Sequence, residues 1–483
     1  MSVEEKTALS EEITADLLAD NGPTTPGPYR LYKRRWLGVF AMFMLEAVAS
    51  ATWPWFGPIS NNVVRDFGFT LDEANWLGNI VSCVYLPIAF LTPIVTKRYG
   101  VKRCCDIATA LILLSAWVRY AGTSRSLSKG GAYALILIGQ ALAAIAQPVF
   151  QILAPKYSER WFDLKGRMTA TMIISIANPV GGGLGQLLSP AFSDTRKSIL
   201  ALATISTAVV PLGLLITEAP PTPPSFSGSR IPSPSIVSLA RAAAGLSCPP
   251  EAYMTLRERF DFIILVSVFS TFVAAINTFS ILSSQWLSPY GYSDNTSGYI
   301  GAAMLLSGII AAIVTSPIFD RVLTHHLGVT VRTLCPIVGV AWLSVIWAVR
   351  PHNVAALFAI FVVIGVCSIT LLPVAIELGV ELTRNPDGSS AVLWFFANLF
   401  SIIFVLVQGA LRASPAADPP QNMHRTIIFN GVWVSIVAVL VFFLHGKQAR
   451  RELDEQMYEE QGTMSMKPDQ MVKPRPRESS LEA

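Results

Sequence analysis

The chain has 483 residues, of which 52% are hydrophobic and only 14% are charged, whereas about a quarter of the residues of an ordinary soluble domain are charged. This composition, with a mean hydropathy of +0.49, excludes a soluble globular protein. The net charge of +4 is small, and the basic residues lie in short clusters between apolar runs, which argues against a nucleic-acid-binding surface.

The first predicted element is a polar tail, residues 1–35, without the basic start and apolar centre of a cleavable signal peptide. After it come apolar runs, and a helix that crosses the hydrocarbon core needs about 20 such residues. These runs predict an all-α membrane protein with twelve transmembrane helices. The predicted spans are residues 36–58, 72–96, 105–123, 132–153, 168–192, 198–217, 260–282, 298–319, 333–350, 354–381, 389–411 and 427–445.

A segment rich in proline and serine, residues 218–259, separates the first six spans from the last six. Such a composition cannot bury a core, so we expect a linker with one short helix near 236–246. The chain is therefore predicted to form two six-helix halves, 36–217 and 260–445. Residues 446–483 are predicted to be a disordered tail.

The predicted orientation follows from the basic residues between the spans. Most Lys and Arg residues of the predicted loops fall on the side that holds both termini and the linker, which the positive-inside rule places in the cytoplasm. Asn295, in the sequence Asn295-Thr296-Ser297, falls in a loop on the opposite side and is a candidate glycosylation site. We expect a monomer in the plasma membrane, with an internal membrane as the alternative.

Patterns typical of catalytic or metal sites are not found in the sequence. The six cysteines and five histidines show no CxxC pair, zinc-type spacing or H-E-x-x-H pattern. No nucleophile and base are paired within the spans, and no G-x-x-x-x-G-K-[ST] motif occurs. We therefore expect no cofactor, no metal, no enzymatic activity and no ATP-driven transport.

Ionisable residues within spans are costly in lipid, so each is a functional candidate. Glu46 precedes Ser50 by four residues and Trp53 by seven, which predicts one helical stripe. A carboxylate and an indole on one cavity wall would suit an organic cation. The alternative is that Glu46 pairs with a neighbouring helix and Trp53 only packs.

Glu377 and Glu381 stand four residues apart near the cytoplasmic end of the tenth span. Shared burial would make them candidates for coupling transport to a proton or cation, whereas the alternative for Glu381 is an ion pair with loop arginines. Uncharged polar groups also fall at predicted mid-span positions, where they either contact a substrate or join helices. They are Gln147, Asn178, Asn277, Asn398 and Gln408.

Two spans contain helix-breaking sequences. Span five reads A-N-P-V-G-G-G-L-G-Q from residue 177, and such a glycine-rich break predicts a hinge or a surface on which helices rock. Span one reads W-P-W-F-G-P from Trp53, which predicts a second break toward its outer end. Discontinuous helices of this kind recur at the binding sites of transporters.

Short segments throughout residues 29–446 carry a family resemblance. They are YRLYKRRW (29–36), TWPWFGPISN (52–61), NWL (75–77), AQPVF (146–150), RWF (160–162), NPVGGGLG (178–185), PPTPPS (220–225), LPVAIELGVELT (372–383) and VQG (407–409). With the two predicted halves, they resemble the major facilitator superfamily and, more narrowly, the feline leukemia virus subgroup C receptor-related family (solute carrier family 49). The opening motif and the proline run are most similar to the less characterised branch of that family.

The resemblance implies a transporter of choline or ethanolamine, or of haem in an older view of the family. It implies substrate contacts for Trp53, Gln147, Asn178 and Gln408. At two positions the sequence departs from the family pattern: Asn277 stands in place of an aromatic-cage tyrosine, and Ala49 in place of an asparagine. Losing one aromatic ring weakens a site for quaternary ammonium, and Glu46 could supply the missing attraction.

The superfamily's loop signature G-x-x-x-D-R-x-G-x-R is retained only in part between spans two and three. Arg98 and Gly100 occupy it, but its aspartate is absent, whereas Asp320 and Arg321 keep the corresponding pair in the second half. The resemblance implies that this loop helps to hold the halves together. The sequence therefore predicts one of two outcomes: gating is altered, or the aspartate is replaced in its role by Glu159 or Glu381.

The sequence thus predicts a secondary transporter that works by alternating access and carries a small organic cation such as choline or ethanolamine. Its expected partners are this solute, the lipid bilayer and a coupling proton or cation, with no nucleic acid. One alternative substrate is haem or another porphyrin, although no histidine lies in mid-span to bind its iron. Another alternative is a receptor or sensor that binds a ligand without transporting it.

Overall fold

The structure, a computed structural model, describes residues 30–162, 164–192, 194–222, 236–249, 253–318, 327–383 and 385–446. These residues form an all-helical fold. In chain order its helices α1 to α14 are Arg35–Ser50, Ser60–Phe67, Leu71–Ala121, Lys129–Trp161, Leu164–Ser175, Ala177–Leu188, Thr195–Val209, Ile236–Ala243, Leu256–Leu287, Asp294–Ile318, Leu327–Ala348, Val354–Thr383, Pro386–Ala410 and His424–Val439. Short 3₁₀ turns extend α6, α7, α9 and α14.

Within the described residues, nine helical segments are long and apolar enough to cross a membrane. This number is lower than the twelve predicted spans for two reasons. Predicted spans two and three both lie in α3, which is broken by non-helical backbone at Gly100. Span one forms the 16-residue helix α1 followed by turns, and span five is divided into two shorter helices. The expected short linker helix is confirmed as α8.

Local sequence explains where several helices begin and end. Thr70 and Thr255 form capping boxes with Glu73 and Glu258, so the first turns of α3 and α9 have partners for their free N–H groups. Gly68 ends α2 in the left-handed region, with φ +68°.

Gly100 interrupts α3 near its middle. Its φ of +84° and ψ of 169° lie outside the helical region, in a conformation that only glycine adopts readily. The interruption separates predicted spans two and three and frees the N–H groups at the start of the second helical stretch. A carboxylate of Glu218 lies against Gly100, 2.7 Å from the position that a Cβ would take.

Glu218, which sequence analysis did not identify, supplies the acidic group at this loop. Its Oε2 accepts a hydrogen bond from the Lys102 N–H at 2.7 Å, and its Oε1 pairs with Arg160. Partial burial alone would raise the pKa of Glu218, but the N–H donors and Arg160 outweigh it and hold the pKa below its usual value. The carboxylate therefore joins the Gly100 loop to the end of α4.

We expect Glu218→Gln to lower the free energy of unfolding by about 1 kcal/mol at neutral pH, since the partly exposed carboxylate is screened by solvent. Because folding lowers the pKa of Glu218, its stabilisation is present above the ordinary glutamate pKa and is lost as the pH falls through the folded value. Thermal unfolding of wild type and variant should therefore converge in acid. Asp106→Asn, which removes a surface ion pair with Lys102 in the same loop, is the control, and an equal effect of both changes would contradict the role of Glu218.

The helices form two groups that pack against each other. Helices α1–α7 form the first group and α9–α14 the second; α6 contacts α10, and α3 contacts α13 across the boundary. The main apolar core of the second group extends to Trp53, Val81 and Ala144 of the first. Two further clusters lie within the first group.

The glycine run of span five lies in α6, between α1 and α10. A Cβ on Gly181 would stand 2.0 Å from the carbonyl oxygen of Ala47 in α1, and one on Gly183 would stand 2.9 Å from Leu306 in α10. The helix break itself falls at Ile176, between α5 and α6, rather than at the proline of the run, Pro179. The glycines thus allow α6 to approach helices of both groups closely.

We expect Gly181→Ala to destabilise the protein by at least about 2 kcal/mol, because the added methyl group meets backbone rather than a movable side chain. Gly130→Ala is the matched control, since a Cβ there would have nothing within 4 Å. The thermal unfolding midpoint and the monodisperse fraction in detergent should fall for the first variant only. Equal midpoints would show that α1 and α6 can separate at little cost.

Candidate functional site

A cavity lies between the two helix groups, with about 830 Å³ of space between its walls, including its mouth. Its walls come from the turn after α1 and from α3, α4, α5, α6, α9, α10, α12 and α13. The lining residues are Trp53, Gly78, Val81, Ser82, Tyr85, Gln147, Gln151, Ser175, Asn178, Pro179, Val273, Ile276, Asn277, Ile281, Leu305, Ile369, Leu372, Trp394 and Asn398.

Trp53 reaches this cavity because α1 ends at Ser50 and residues 51–59 form turns before α2. The predicted break in span one is therefore confirmed. The predicted helical stripe from Glu46 to Trp53 is wrong, since Trp53 lies beyond the helix. Glu46 is not among the lining residues.

Three aromatic side chains line the cavity from both groups. Trp53 and Tyr85 belong to the first group and Trp394 to the second. The Tyr85 hydroxyl donates to Oε1 of Gln151 at 2.9 Å, and Trp394 packs edge to face on Phe269 with ring centroids 5.4 Å apart. These contacts fix the orientation of two of the three rings. Sequence analysis identified only Trp53.

The asparagines of the lining direct their amide donors into the protein. Nδ2 of Asn178 donates to Ser50 at 3.0 Å, Nδ2 of Asn277 to Ser401 at 3.1 Å, and Nδ2 of Asn398 to the carbonyl of Trp394 at 2.9 Å. Their Oδ1 atoms remain available as acceptors. Oε1 of Gln147 is buried without a hydrogen-bond partner among the described residues. The polar wall of the cavity is therefore rich in acceptors.

Glu46 lies directly behind this wall and is fully buried. Its Oε1 accepts hydrogen bonds from Ser50 at 3.0 Å and from Asn178 at 3.3 Å. Its Oε2 has no partner among the described residues. Asn178 lines the cavity and is hydrogen-bonded to Glu46, so it connects this carboxyl group to the cavity.

The remaining predicted site residues lie elsewhere. Gln408 is buried away from the cavity, where its Nε2 donates to Asn430 at 2.9 Å and joins α13 to α14. Glu381 is buried, but the Glu377 side chain is exposed. The expected shared burial of the two carboxyl groups is therefore wrong, because only Glu381 is covered by the surrounding helices.

The predicted loop residues also lie outside the cavity. Arg98 is exposed and lies over the ring of Tyr99 at 5.5 Å. Asp320 and Arg321 fall outside the described residues. Asn295 is exposed in the first turn of α10, at the same end of the molecule as the turns after α1.

Contacts between the two groups close the cavity at that end, which we call the closed end. Nδ2 of Asn61 donates to Ser284 at 2.9 Å, Gln285 bonds to Asn75, and Arg412 pairs with Asp72 at 2.7 Å. At the opposite end of the cavity, which lies toward Gly100, the described aromatic contact between the two helix groups is apolar. It joins Phe90 to Phe395, whose ring centroids are 5.1 Å apart. The two ends of the cavity therefore differ in chemistry.

None of the described lining residues is Asp, Glu, Lys, Arg or His. The described wall therefore has no cationic side chain that would pair with an anionic ligand. It can instead receive a cation of low charge density, by cation–π attraction and by hydrogen bonds from the ligand.

Comparisons with known proteins agree with this architecture. The sequence profile of the Major Facilitator Superfamily matches residues 35–440. Solute carrier family 49 member A3 of Xenopus tropicalis is 24% identical over 461 residues, covering 91% of this chain and 92% of that protein. The choline/ethanolamine transporter FLVCR2 of Homo sapiens is 22% identical, covering 91% of this chain and 82% of that protein.

A solved structure shares the fold. The crystal structure of a POT family transporter in complex with 5-aminolevulinic acid superimposes with a TM-score of 0.61 at 12% identity, covering 84% of this chain and 95% of that one. The resemblance to the superfamily and to solute carrier family 49 is thus confirmed. These relatives are transporters and not enzymes.

Proposed function

The chain belongs to the Major Facilitator Superfamily of secondary transporters, and from that premise we propose that it carries a small organic cation such as choline or ethanolamine. In this proposal the cation binds between the two helix groups. The groups then rock about it, so that the cavity opens to each side of the membrane in turn.

The observation that carries the proposal is the composition of the cavity wall. Trp53, Tyr85 and Trp394 present ring systems from both groups, and a cation near such rings gains about 0.5–2 kcal/mol from each, depending on its desolvation. Oε1 of Gln147 has no donor in the part of the chain that the structure describes, and the hydroxyl of choline or the ammonium group of ethanolamine would supply one. Each half of such a ligand therefore has a matching part of the wall.

Relatives named choline/ethanolamine transporters support the same substrate class. The asparagine at position 277 removes one expected ring, but Tyr85 and Trp394 provide rings from other helices. We therefore propose an aromatic cage that keeps Trp53, which the resemblance implies, and adds rings at two further positions, Tyr85 and Trp394.

We further propose that the described helices make twelve crossings in two six-helix halves, 36–217 and 260–445, with both termini in the cytoplasm and the protein in the plasma membrane. The closed end, which carries Arg65, Asn295 and Arg412, would then face outward. The cavity would be held shut on that side by the polar contacts between the groups. Glu46 is the proposed group for proton or cation coupling, with Glu377 as the second candidate.

The cavity favours this class of substrate over a porphyrin. The carboxylates of haem would need cationic partners and its iron an axial ligand, whereas the described lining holds neither a basic residue nor histidine. The remaining alternative is a receptor that binds the solute without transporting it. A measurement of solute flux across the membrane distinguishes this receptor from a transporter.

The test is uptake of labelled choline into proteoliposomes that contain the purified protein, with ethanolamine, other organic cations and haem as competitors. We expect saturable uptake that ethanolamine reduces and haem does not, and that Trp53→Ala abolishes. Binding of choline without any uptake would indicate a receptor. Uptake of haem alone would overturn the proposed substrate class.

A further inference from the structure

A second cavity, which we call the annex, adjoins the central one within the second helix group. It holds about 490 Å³ of space between its wall atoms, mouth included, and lies between α9, α11 and α12. The two cavities share four lining residues, Val273, Ile276, Ile369 and Leu372. The annex therefore adjoins the place where the proposed cation binds, with these four residues between or beside the two spaces.

The walls of the annex are almost entirely hydrocarbon. Phe269, Phe272, Val331 and Ala375 are all buried. Its described lining contains two polar side-chain groups, the Cys335 thiol and the Ser368 hydroxyl. An apolar wall of this kind can receive an apolar group of a ligand. Since protein interiors are otherwise closely packed, such a space beside a binding site is a preformed place for hydrocarbon.

The junction of the two cavities suits a ligand with two different ends. Phe269 lines the annex and packs on Trp394, which lines the central cavity, with ring centroids 5.4 Å apart. Pro373 lies inside α12, and a proline there leaves the carbonyl of Ile369, a shared lining residue, without its usual helical donor. The wall thus changes from aromatic and acceptor-bearing in the central cavity to largely apolar in the annex.

We propose that the substrate is an amphiphilic cation, with its ammonium group among the central aromatic residues and a hydrocarbon substituent in the annex. This inference rests on the proposed function. It narrows the substrate to cations that are larger and more apolar than choline. Burial of each added methylene in the annex should tighten binding by about fourfold until the annex is filled.

The probes are alkyltrimethylammonium ions, from tetramethylammonium to octyltrimethylammonium, with octyl sulfate as an anionic control. Each is titrated against the tryptophan fluorescence of the full chain in lipid nanodiscs, and lipid-only nanodiscs give the blank. We expect affinity to rise with chain length for the cations and no saturable binding of octyl sulfate.

Two substitutions on opposite walls fill the annex, Ala375→Phe on α12 and Cys335→Phe on α11. Both should abolish the dependence on chain length while binding of tetramethylammonium stays within about twofold, which also shows that the variants are folded. Ala359→Phe, on the exposed face of α12, is the matched control and should keep the full dependence.

The outcomes separate this inference from the proposed function. If tetramethylammonium binds but longer chains bind no tighter, the annex plays no part and the organic-cation proposal stands. If the dependence on chain length survives both filling substitutions, the chains partition into lipid and the inference is overturned. If no member of the series binds, the proposed function fails and the annex inference with it.

Discussion

Replacing Trp394 by alanine is expected to weaken binding of choline by about 5- to 30-fold, since one desolvated cation–π contact contributes about 1–2 kcal/mol. Trp394 is the aromatic residue that the second helix group contributes to the central cavity. Removing it leaves Trp53 and Tyr85 on one side of the ligand only. Binding of labelled choline to purified protein measures the change, and Trp394→Phe should recover part of the affinity.

The control for Trp394 is Trp347→Ala, which removes a tryptophan that is 58% exposed on α11. Because Trp394→Ala also breaks the contact with Phe269, the unfolding temperature of each variant must be measured beside its affinity. Unchanged affinity in a stable Trp394→Ala protein would show that the cation does not contact the second group. The cage would then have to be sought elsewhere.

Replacing Glu46 by glutamine is expected to flatten the pH dependence of transport. In the structure Oε1 of Glu46 accepts hydrogen bonds from Ser50 and Asn178, so a change in its protonation alters the hydrogen bonding of a cavity residue. For a single titrating group, the population of the less populated protonation state changes about tenfold per pH unit. Uptake by the variant between about pH 6 and about pH 8 should then vary by no more than about twofold.

Two comparisons make the Glu46 experiment specific. The Tyr85 hydroxyl is a titratable group close enough to interact with Glu46, and Tyr85→Phe should leave the pH profile in place. Asn178→Ala, which removes the link between Glu46 and the cavity, should flatten the profile as Glu46→Gln does. A pH profile in Glu46→Gln that matches wild type would remove Glu46 from the coupling role and leave Glu377 to be tested.

Much of the architecture could be predicted from composition because lipid leaves few alternatives to helices. The apolar runs gave helix positions close to the observed bounds, and prolines and glycines marked the breaks in spans one and five. The sequence did not show that the break at Gly100, between predicted spans two and three, would be held by Glu218. That depends on how Gly100 and Glu218 meet, and Glu218 lies 116 residues from its partner Lys102.

The site was harder to predict than the fold, as two glutamines illustrate. Gln147 and Gln408 are both amides in the middle of apolar spans, yet Gln147 lines the cavity and Gln408 bonds to Asn430. Their local sequences do not distinguish an amide that lines a cavity from an amide that joins two helices. Only the rotation of each helix against its neighbours decides whether an amide faces a cavity or another helix.

Tyr85 and Trp394 were missed for a related reason. Aromatic residues are common in buried apolar helices, as the packed rings of Phe279, Trp286, Trp342 and Phe361 show within the second group. Nothing in the sequence distinguishes those core rings from the cavity rings. The difference arises where two helix groups face each other, which is a property of their docking and not of any one span.

Counterflow tests the central claim most directly, because it requires one cavity to exchange its ligand with both sides of the membrane. Proteoliposomes are loaded with unlabelled choline and diluted into a trace of labelled choline. We expect a transient accumulation of label above its equilibrium level, absent in empty vesicles and in vesicles with Trp53→Ala. Labelled choline that binds the protein but enters loaded and empty vesicles equally slowly would contradict alternating access.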